Sequence, residues 1–176
     1  MLHPATELRQ LGPDLGTAVV ATELIPRGTL VWVTDALDRL LSPDLVASFP
    51  EPLRAAVRNH GYFDREGHVV LCWDNARYVN HSCEPNCLSP GYGFEIAVSD
   101  IPPGEPLTND YLTLNLECDF ECQCGRPSCR HIVNAASAHG LTEGWDRSIE
   151  DCMPFVFRVA QPLMVLLGDD DQRELL

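Results

Sequence analysis

A chain of 176 residues that is 45% hydrophobic carries enough apolar side chain for one compact domain, which excludes a disordered tail. Its 26 acidic and 12 basic residues give a net charge of −14, and all 12 basic residues are Arg, so the chain has no lysine of its own. A surface this acidic repels duplex phosphates and attracts basic polypeptides, which argues against direct nucleic-acid binding.

The opening residues, Met1 to Glu7, lack the basic start and apolar run of a secretory signal. Thr17-Ala18-Val19-Val20-Ala21, a turn at Pro26-Arg27-Gly28 and Thr29-Leu30-Val31-Trp32-Val33 read as two short strands joined by a loop. Residues 35–60 read as helical, with one start at Ser42-Pro43-Asp44 and a second helix from Pro52 to Asn59 stopped by Gly61. Strand candidates follow at Val69 to Trp73 and Glu95 to Val98, with a turn at Ile101 to Gly104. Leu112 to Cys129 is rich in cysteine and too short for a core of its own. Arg130 to Leu176 reads as helices ending in an acidic Gly168-Asp169-Asp170-Asp171 tail.

The most apolar stretch, Met153 to Leu167, is broken by Pro154, Arg158 and Pro162 and falls short of the roughly 20 residues a membrane span needs. A soluble, cytoplasmic protein of a reducing compartment is expected, with no membrane partner; export as an effector stays open. Many short strands with a small helical insertion point to a mostly β fold with short helices. No Gly-rich phosphate loop follows a strand.

Two segments carry chemistry. Cys122, Cys124 and Cys129 form C-x-C-x4-C, a spacing in which three thiolates share one soft cation, with Gly125 and Pro127 letting the chain wrap it. Structural zinc is tetrahedral, so a fourth ligand is needed. Cys118 is the local candidate and Cys83 the distant one; spacing alone does not choose. The second segment runs from Arg77 to Cys87, where Asn80, His81, Ser82 and Asn86 crowd many hydrogen-bonding groups between two strands. His81 beside Cys83 also fits a metal pair or a Cys–His nucleophile, but the sequence supplies no third orienting group for the latter.

Taken in order, these pieces resemble the SET-domain lysine methyltransferases. Asn80-His81-Ser82-Cys83-x-Pro85-Asn86 is similar to the family signature, and Gly104-Glu105-x-Leu107-Thr108-x-Asp110-Tyr111 to its second motif. Cys122, Cys124 and Cys129 resemble its post-SET motif, and Gly16 to Ala21 followed by Ile25-Pro26-Arg27-Gly28 its opening. The resemblance covers about residues 12–130. It implies a β-clip SET fold with a knot-like crossing, in which the chain holding Tyr111 threads the Asn80 segment. The SET domain would span 12–114, with a helical insertion at about 35–68. A post-SET zinc segment at 115–130 and a C-terminal helical extension at 131–176 would follow.

The resemblance also implies roles. Gly16, Thr17, Ala18, Tyr78, Asn80 and His81 would hold S-adenosylmethionine, and Tyr111 would be the catalytic phenol. Cys83 would complete a structural zinc site with Cys122, Cys124 and Cys129. The implied reaction moves a methyl group to the ε-amine of a lysine in a basic protein. A small-molecule amine as acceptor, or a non-catalytic interaction module, are the alternatives. The attacking amine must be neutral although lysine titrates near 10.4, and a narrow apolar channel beside a sulfonium lowers that value. Candidate channel walls are Tyr62, Phe63, Trp73, Tyr78, Tyr92 and Phe120.

Three departures from the pattern stand out. Ala18 replaces a glycine, so either its Cβ crowds the cofactor or the backbone there needs no positive φ. Asn109 stands where Phe or Tyr is usual, at a position that governs how many methyl groups fit. The insertion is short, so substrate choice does not carry over. The extension is a candidate cover for the core, partner surface or dimer contact.

Overall fold

In the computed structural model, residues 1–12, 16–64, 66–91, 93–116, 118–168, 172 and 175 are described. The segment ahead of the first expected strand is itself a strand. β1 (Thr6–Gln10) pairs antiparallel with β2 (Thr17–Ala21), from Thr6 opposite Ala21 to Gln10 opposite Thr17. Four of the five β1 residues are exposed and only Leu8 is apolar, as befits an edge, so it shows none of the apolar alternation that marks a strand in sequence. β3 (Leu30–Val33) forms where expected and lies in a different sheet from β2.

The insertion is only partly helical. β4 (Arg39–Leu41) precedes α1 (Pro43–Ser48) and α2 (Glu51–His60); β5 (Gly61–Phe63) and β6 (Val69–Leu71) follow. The Ser42 hydroxyl caps α1 by accepting from the Leu45 N–H at 3.3 Å, and Gly61 ends α2, as the sequence suggests. The helical expectation for 35–41 is overturned. Arg39, Leu40 and Leu41 pair with Leu71, Val70 and Val69, and β6 sits between β4 and β5 in one small sheet. Leu41, Val57 and Val69 form its core, so burial against β6 overrides local helix propensity.

β7 (Asn80–His81), β8 (Cys87–Leu88), β9 (Phe94–Ala97) and β10 (Thr108–Asn109) complete the central sheet, ordered β3-β9-β8-β10-β7. β10 runs parallel to both β7 and β8. A late strand therefore enters between two strands that are neighbours in sequence, which is the expected crossing. Buried Asn86 fastens it. Its Nδ2 donates to the Pro106 carbonyl at 2.9 Å, and its Oδ1 accepts from the Thr108 N–H at 2.8 Å. The hydrogen-bonding demand read from the sequence is thus met by the threaded chain.

β11 (Phe120–Glu121) and β12 (Ile132–Val133) form a small antiparallel ribbon, and α3 (Thr142–Val156) follows. Cys152 and Val156 of α3, with Leu163 and Leu167, pack on Leu30, Val33, Phe94 and Ile96. The other face of the same strands gives Val31, Trp32 and Ala97 to a second core with Val19, Ala21 and Ile25. The extension therefore covers the core: without it one face of β3 and β9 would be bare. The acidic 169–171 tail lies outside the described residues. Among the described residues no helix is long and apolar enough to cross a membrane.

Candidate active site

The crossing brings the two sequence motifs side by side. Thr108 and Asn109 pair with Asn80 and His81, and the Ser82 N–H donates to the Asn109 carbonyl at 2.9 Å. Beyond β10 the chain turns through Asp110 into a short 3-10 helix, Tyr111–Leu114. Buried Asp110 accepts from the Leu112 N–H at 3.2 Å, from the Arg130 guanidinium at 2.8 Å and from the Trp145 indole at 3.3 Å. A carboxylate with three donors fixes the turn that follows it. Tyr111 then donates its backbone N–H to His81 Nδ1 at 3.1 Å and its hydroxyl to the Val79 carbonyl at 2.8 Å. Burial, with the Glu95 carboxylate adding to it, pushes the Tyr111 phenol up to about 12. The hydroxyl is thus protonated at neutral pH, with its proton on Val79 and its oxygen free to accept.

Because His81 Nδ1 accepts, the neutral ring carries its proton on Nε2, which lies 3.4 Å from Cys83 Sγ. Burial lowers the His81 pKa, and Arg130 adds to this against Asp110, so the ring is neutral. Its ring centroid is 5.4 Å from that of Tyr111 and 5.1 Å from that of Phe120.

The expected cofactor residues fall into two places. Asn80 Nδ2 donates to the Thr17 carbonyl at 3.2 Å, so Thr17, Asn80, His81 and Tyr111 form one continuous run of contacts. Gly16 has a φ of +61°, and a Cβ there would meet nothing within 4 Å, which leaves open space beside the opening motif. Ala18 lies fully buried in β2 opposite Arg9, without positive φ, so the backbone has no need of a glycine and its side chain offers no surface to a ligand. The Tyr78 ring lies edge-on to His60 at 5.5 Å and packs on the core that holds Val19 and Ala21 of β2.

The thiols of Cys83, Cys122, Cys124 and Cys129 lie within 4.8 Å of one another. The Cys83 and Cys122 sulfurs are 3.7 Å apart. A tetrahedron with Zn–S bonds near 2.3 Å has edges of about 3.8 Å, so these residues fit a zinc ion. All eight cysteines are free, and Cys118 is exposed and outside the cluster. The fourth position in the cluster is therefore Cys83.

Two cavities share part of their lining, and Tyr111 borders the first. The first, of about 140 Å³, is lined by Tyr111, Asn109, Arg58 and Arg77 among others. The second, of about 410 Å³, is lined by Phe63, Asp64, Glu66 and Asn115 among others. Trp32, Tyr62, Glu95 and Leu114 line both. Of the candidate channel walls, Tyr62 lines both cavities and Phe63 the second, while Phe120 packs against His81 and Tyr111. Trp73 is 44% exposed and donates its indole N–H to Asp35, away from both cavities. Tyr92 lies outside the described residues.

Sequence reasoning missed Trp32 and Glu95. They pair across β3 and β9, and each sits in a strand whose neighbouring positions are core. A glutamate inside an otherwise apolar strand was the available signal.

The SET domain profile matches residues 16–112. Rice Histone-lysine N-methyltransferase TRX1 is 40% identical over 72 residues, which cover 37% of this chain and 7% of that one. Arabidopsis thaliana Histone H3-lysine(4) N-trimethyltransferase ATX1 is 34% identical over 86 residues, covering 45% of this chain and 8% of that one. Among solved structures, the methyltransferase domain of human Histone-lysine N-methyltransferase SETMAR shares the fold with a TM-score of 0.52 at 20% identity, over 76% of this chain and 58% of that one. KRYPTONITE in complex with mCHH DNA, an H3(1-15) peptide and SAH gives a TM-score of 0.50 at 22% identity, over 76% of this chain and 30% of that one. The chain thus spans under a tenth of either curated relative named above.

Proposed function

The chain belongs to the SET-domain family, and from that premise we propose that it is an S-adenosylmethionine-dependent protein-lysine methyltransferase acting on a basic protein. The observation that carries the reading is the parallel pairing of β7 with β10. It places Asn80 and His81 beside Tyr111, whose neutral phenol lines a cavity.

S-adenosylmethionine, when bound, supplies an electrophilic methyl group on a sulfonium. The residues suited to hold it are Gly16, Thr17, Asn80 and His81, through the backbone at the open Gly16 turn and the amide of Asn80. Methyl transfer is an in-line displacement, so alignment supplies much of the rate. Tyr111 provides that alignment. Its hydroxyl proton is committed to Val79, which leaves its oxygen to accept from an amine N–H or a polarised methyl C–H. Trp32 and Tyr62 wall the space that excludes water. Asp64 and Glu66 on the second cavity suit a basic peptide, as does the net charge of −14. The four thiolates would hold zinc, which supplies a rigid cross-link between the signature and the segment after β10. A reducing cytoplasm would keep those thiols available.

Calorimetric titration of the zinc-loaded chain with S-adenosylmethionine tests the first half of the reading, and transfer of labelled methyl to mixed core histones and host lysate tests the second. Micromolar binding and labelled protein bands are expected. A folded, zinc-loaded chain that binds no S-adenosylmethionine sinks the reading.

A further inference from the structure

Glu95 is a carboxylate in an apolar place that the roles assigned so far leave unused. It lies on β9 between Phe94 and Ile96, which face the extension; Glu95 points the other way, toward its cross-strand partner Trp32. Among the described contacts it has one polar partner, Asn109, whose Nδ2 donates to Glu95 Oε1. The Thr113 hydroxyl donates to the Asp110 carbonyl at 2.8 Å and lies 3.1 Å from Asn109 Oδ1. One carboxylate oxygen is therefore tethered, and the side chain still borders both cavities.

We propose that Glu95, held by Asn109, is the counter-ion that receives the substrate's ammonium group beside Tyr111 before the amine loses its proton for transfer; this rests on the methyltransferase reading above. Charge favours one direction of approach. Asp64 and Glu66 line the second cavity and attract a cation, whereas the first is lined by Arg77 and by Arg58, the latter paired with Glu51. Glu95 stands on the wall common to both, where an ammonium entering from the acidic side would stop. Low local dielectric makes a charge-assisted bond strong there. The Asn109 position then acts through Glu95: it aims a carboxylate where the family pattern has an aromatic ring. Burial lifts Glu95 to about 7, so it is ionised at pH 8.

The test uses n-butylammonium, a copy of the lysine side chain's end, and 1-butanol, its neutral counterpart. The 15N-labelled full chain is titrated with each at pH 8 and fixed ionic strength, followed by NMR. Wild type is expected to bind n-butylammonium roughly tenfold tighter than 1-butanol, with Glu95→Gln making the two alike. Equal binding of both by wild type, no binding of n-butylammonium, or a preference that survives in Glu95→Gln each overturns the proposal. Should Glu95→Gln not fold, Asn109→Leu carries the test. It keeps the carboxylate and loses its tether, so the preference should fall about threefold, and an unaltered preference overturns the assignment. Calorimetry with S-adenosylmethionine on wild type separates the two failures. Loss of cofactor binding counts against the methyltransferase reading, and loss of the ammonium preference against Glu95.

Discussion

The Tyr111 hydroxyl donates to the Val79 carbonyl at 2.8 Å, across 32 residues of chain. The bond fixes the phenol's rotation, so its oxygen faces the cavity in one orientation. Changing Tyr111 to Phe removes both the tether and the acceptor while keeping the ring against His81 and Phe120. Turnover should fall by about 100-fold or more, the loss associated with removing one oriented polar group at a reacting centre. Affinity for S-adenosylmethionine should stay within about threefold, and stability should drop by only ~1 kcal/mol. Single-turnover methylation and calorimetry measure these separately. Undiminished turnover would remove Tyr111 from the chemistry.

The four thiols join segments far apart in sequence: Cys83 follows β7, and Cys122, Cys124 and Cys129 lie in the loop between β11 and β12. Changing Cys124 to Ser should lower zinc content from one equivalent to near zero by metal analysis, because a tetrahedral site rarely survives with three thiolates. Thermal stability and S-adenosylmethionine affinity should fall together. Full zinc retention would refute the four-cysteine scheme.

The sequence was most legible where a feature is local. The Ser42 cap, the Gly61 stop and the C-x-C-x4-C run depend on neighbours within a few residues, and each stands in the structure where it was read. What depends on distant partners was less legible. β1 is polar because it is an edge, and β4 adopts a strand only because β6 lies beside it. Spacing alone could not separate Cys83 from Cys118, since the choice is made by the crossing that carries the cysteine segment back to β7. Glu95 is hidden for the same reason: its chemistry comes from Asn109, 14 residues away, and from a cavity that no single segment encloses.

The Glu95 carboxyl makes stability depend on pH in an unusual direction. Burial raises its folded value to about 7 from 4.5, although the bond from Asn109 opposes the shift. Between those values the folded chain holds a proton that the unfolded chain has released, so this group's contribution falls as pH rises through that window. At about 1.36 kcal/mol per pH unit the loss amounts to roughly 3 kcal/mol by pH 8. Glu95→Gln has no such proton, and its amide oxygen can still accept from Asn109. Urea unfolding should therefore show the variant gaining roughly 2–3 kcal/mol on wild type between pH 4.5 and pH 8. A difference that does not change with pH would mean that Glu95 titrates normally.

Gly28 tests whether the C-terminal extension is structural. It ends the Pro26-Arg27-Gly28 turn with a φ of +88°, and its carbonyl accepts from Gln161 Nε2 at 2.7 Å. A Cβ at this position would sit 2.7 Å from Phe155 Cβ, 2.9 Å from the Phe155 carbonyl carbon and 3.0 Å from the Val156 nitrogen. Two of those three atoms are backbone of α3 or its end, so the clash can be relieved only by lifting the helix from β3 and β9. Gly28→Ala should cost roughly 3–4 kcal/mol, combining left-handed strain of about 1 kcal/mol with overpacking. Gly67 is the control. Its φ is +81°, but a Cβ there meets nothing within 4 Å, so Gly67→Ala should cost only the ~1 kcal/mol of strain. Equal losses in the two variants by chemical unfolding would show that α3 is not packed against the turn. A larger loss at Gly28 would establish that residues beyond the cysteine segment are part of the fold that positions Glu95 and Tyr111.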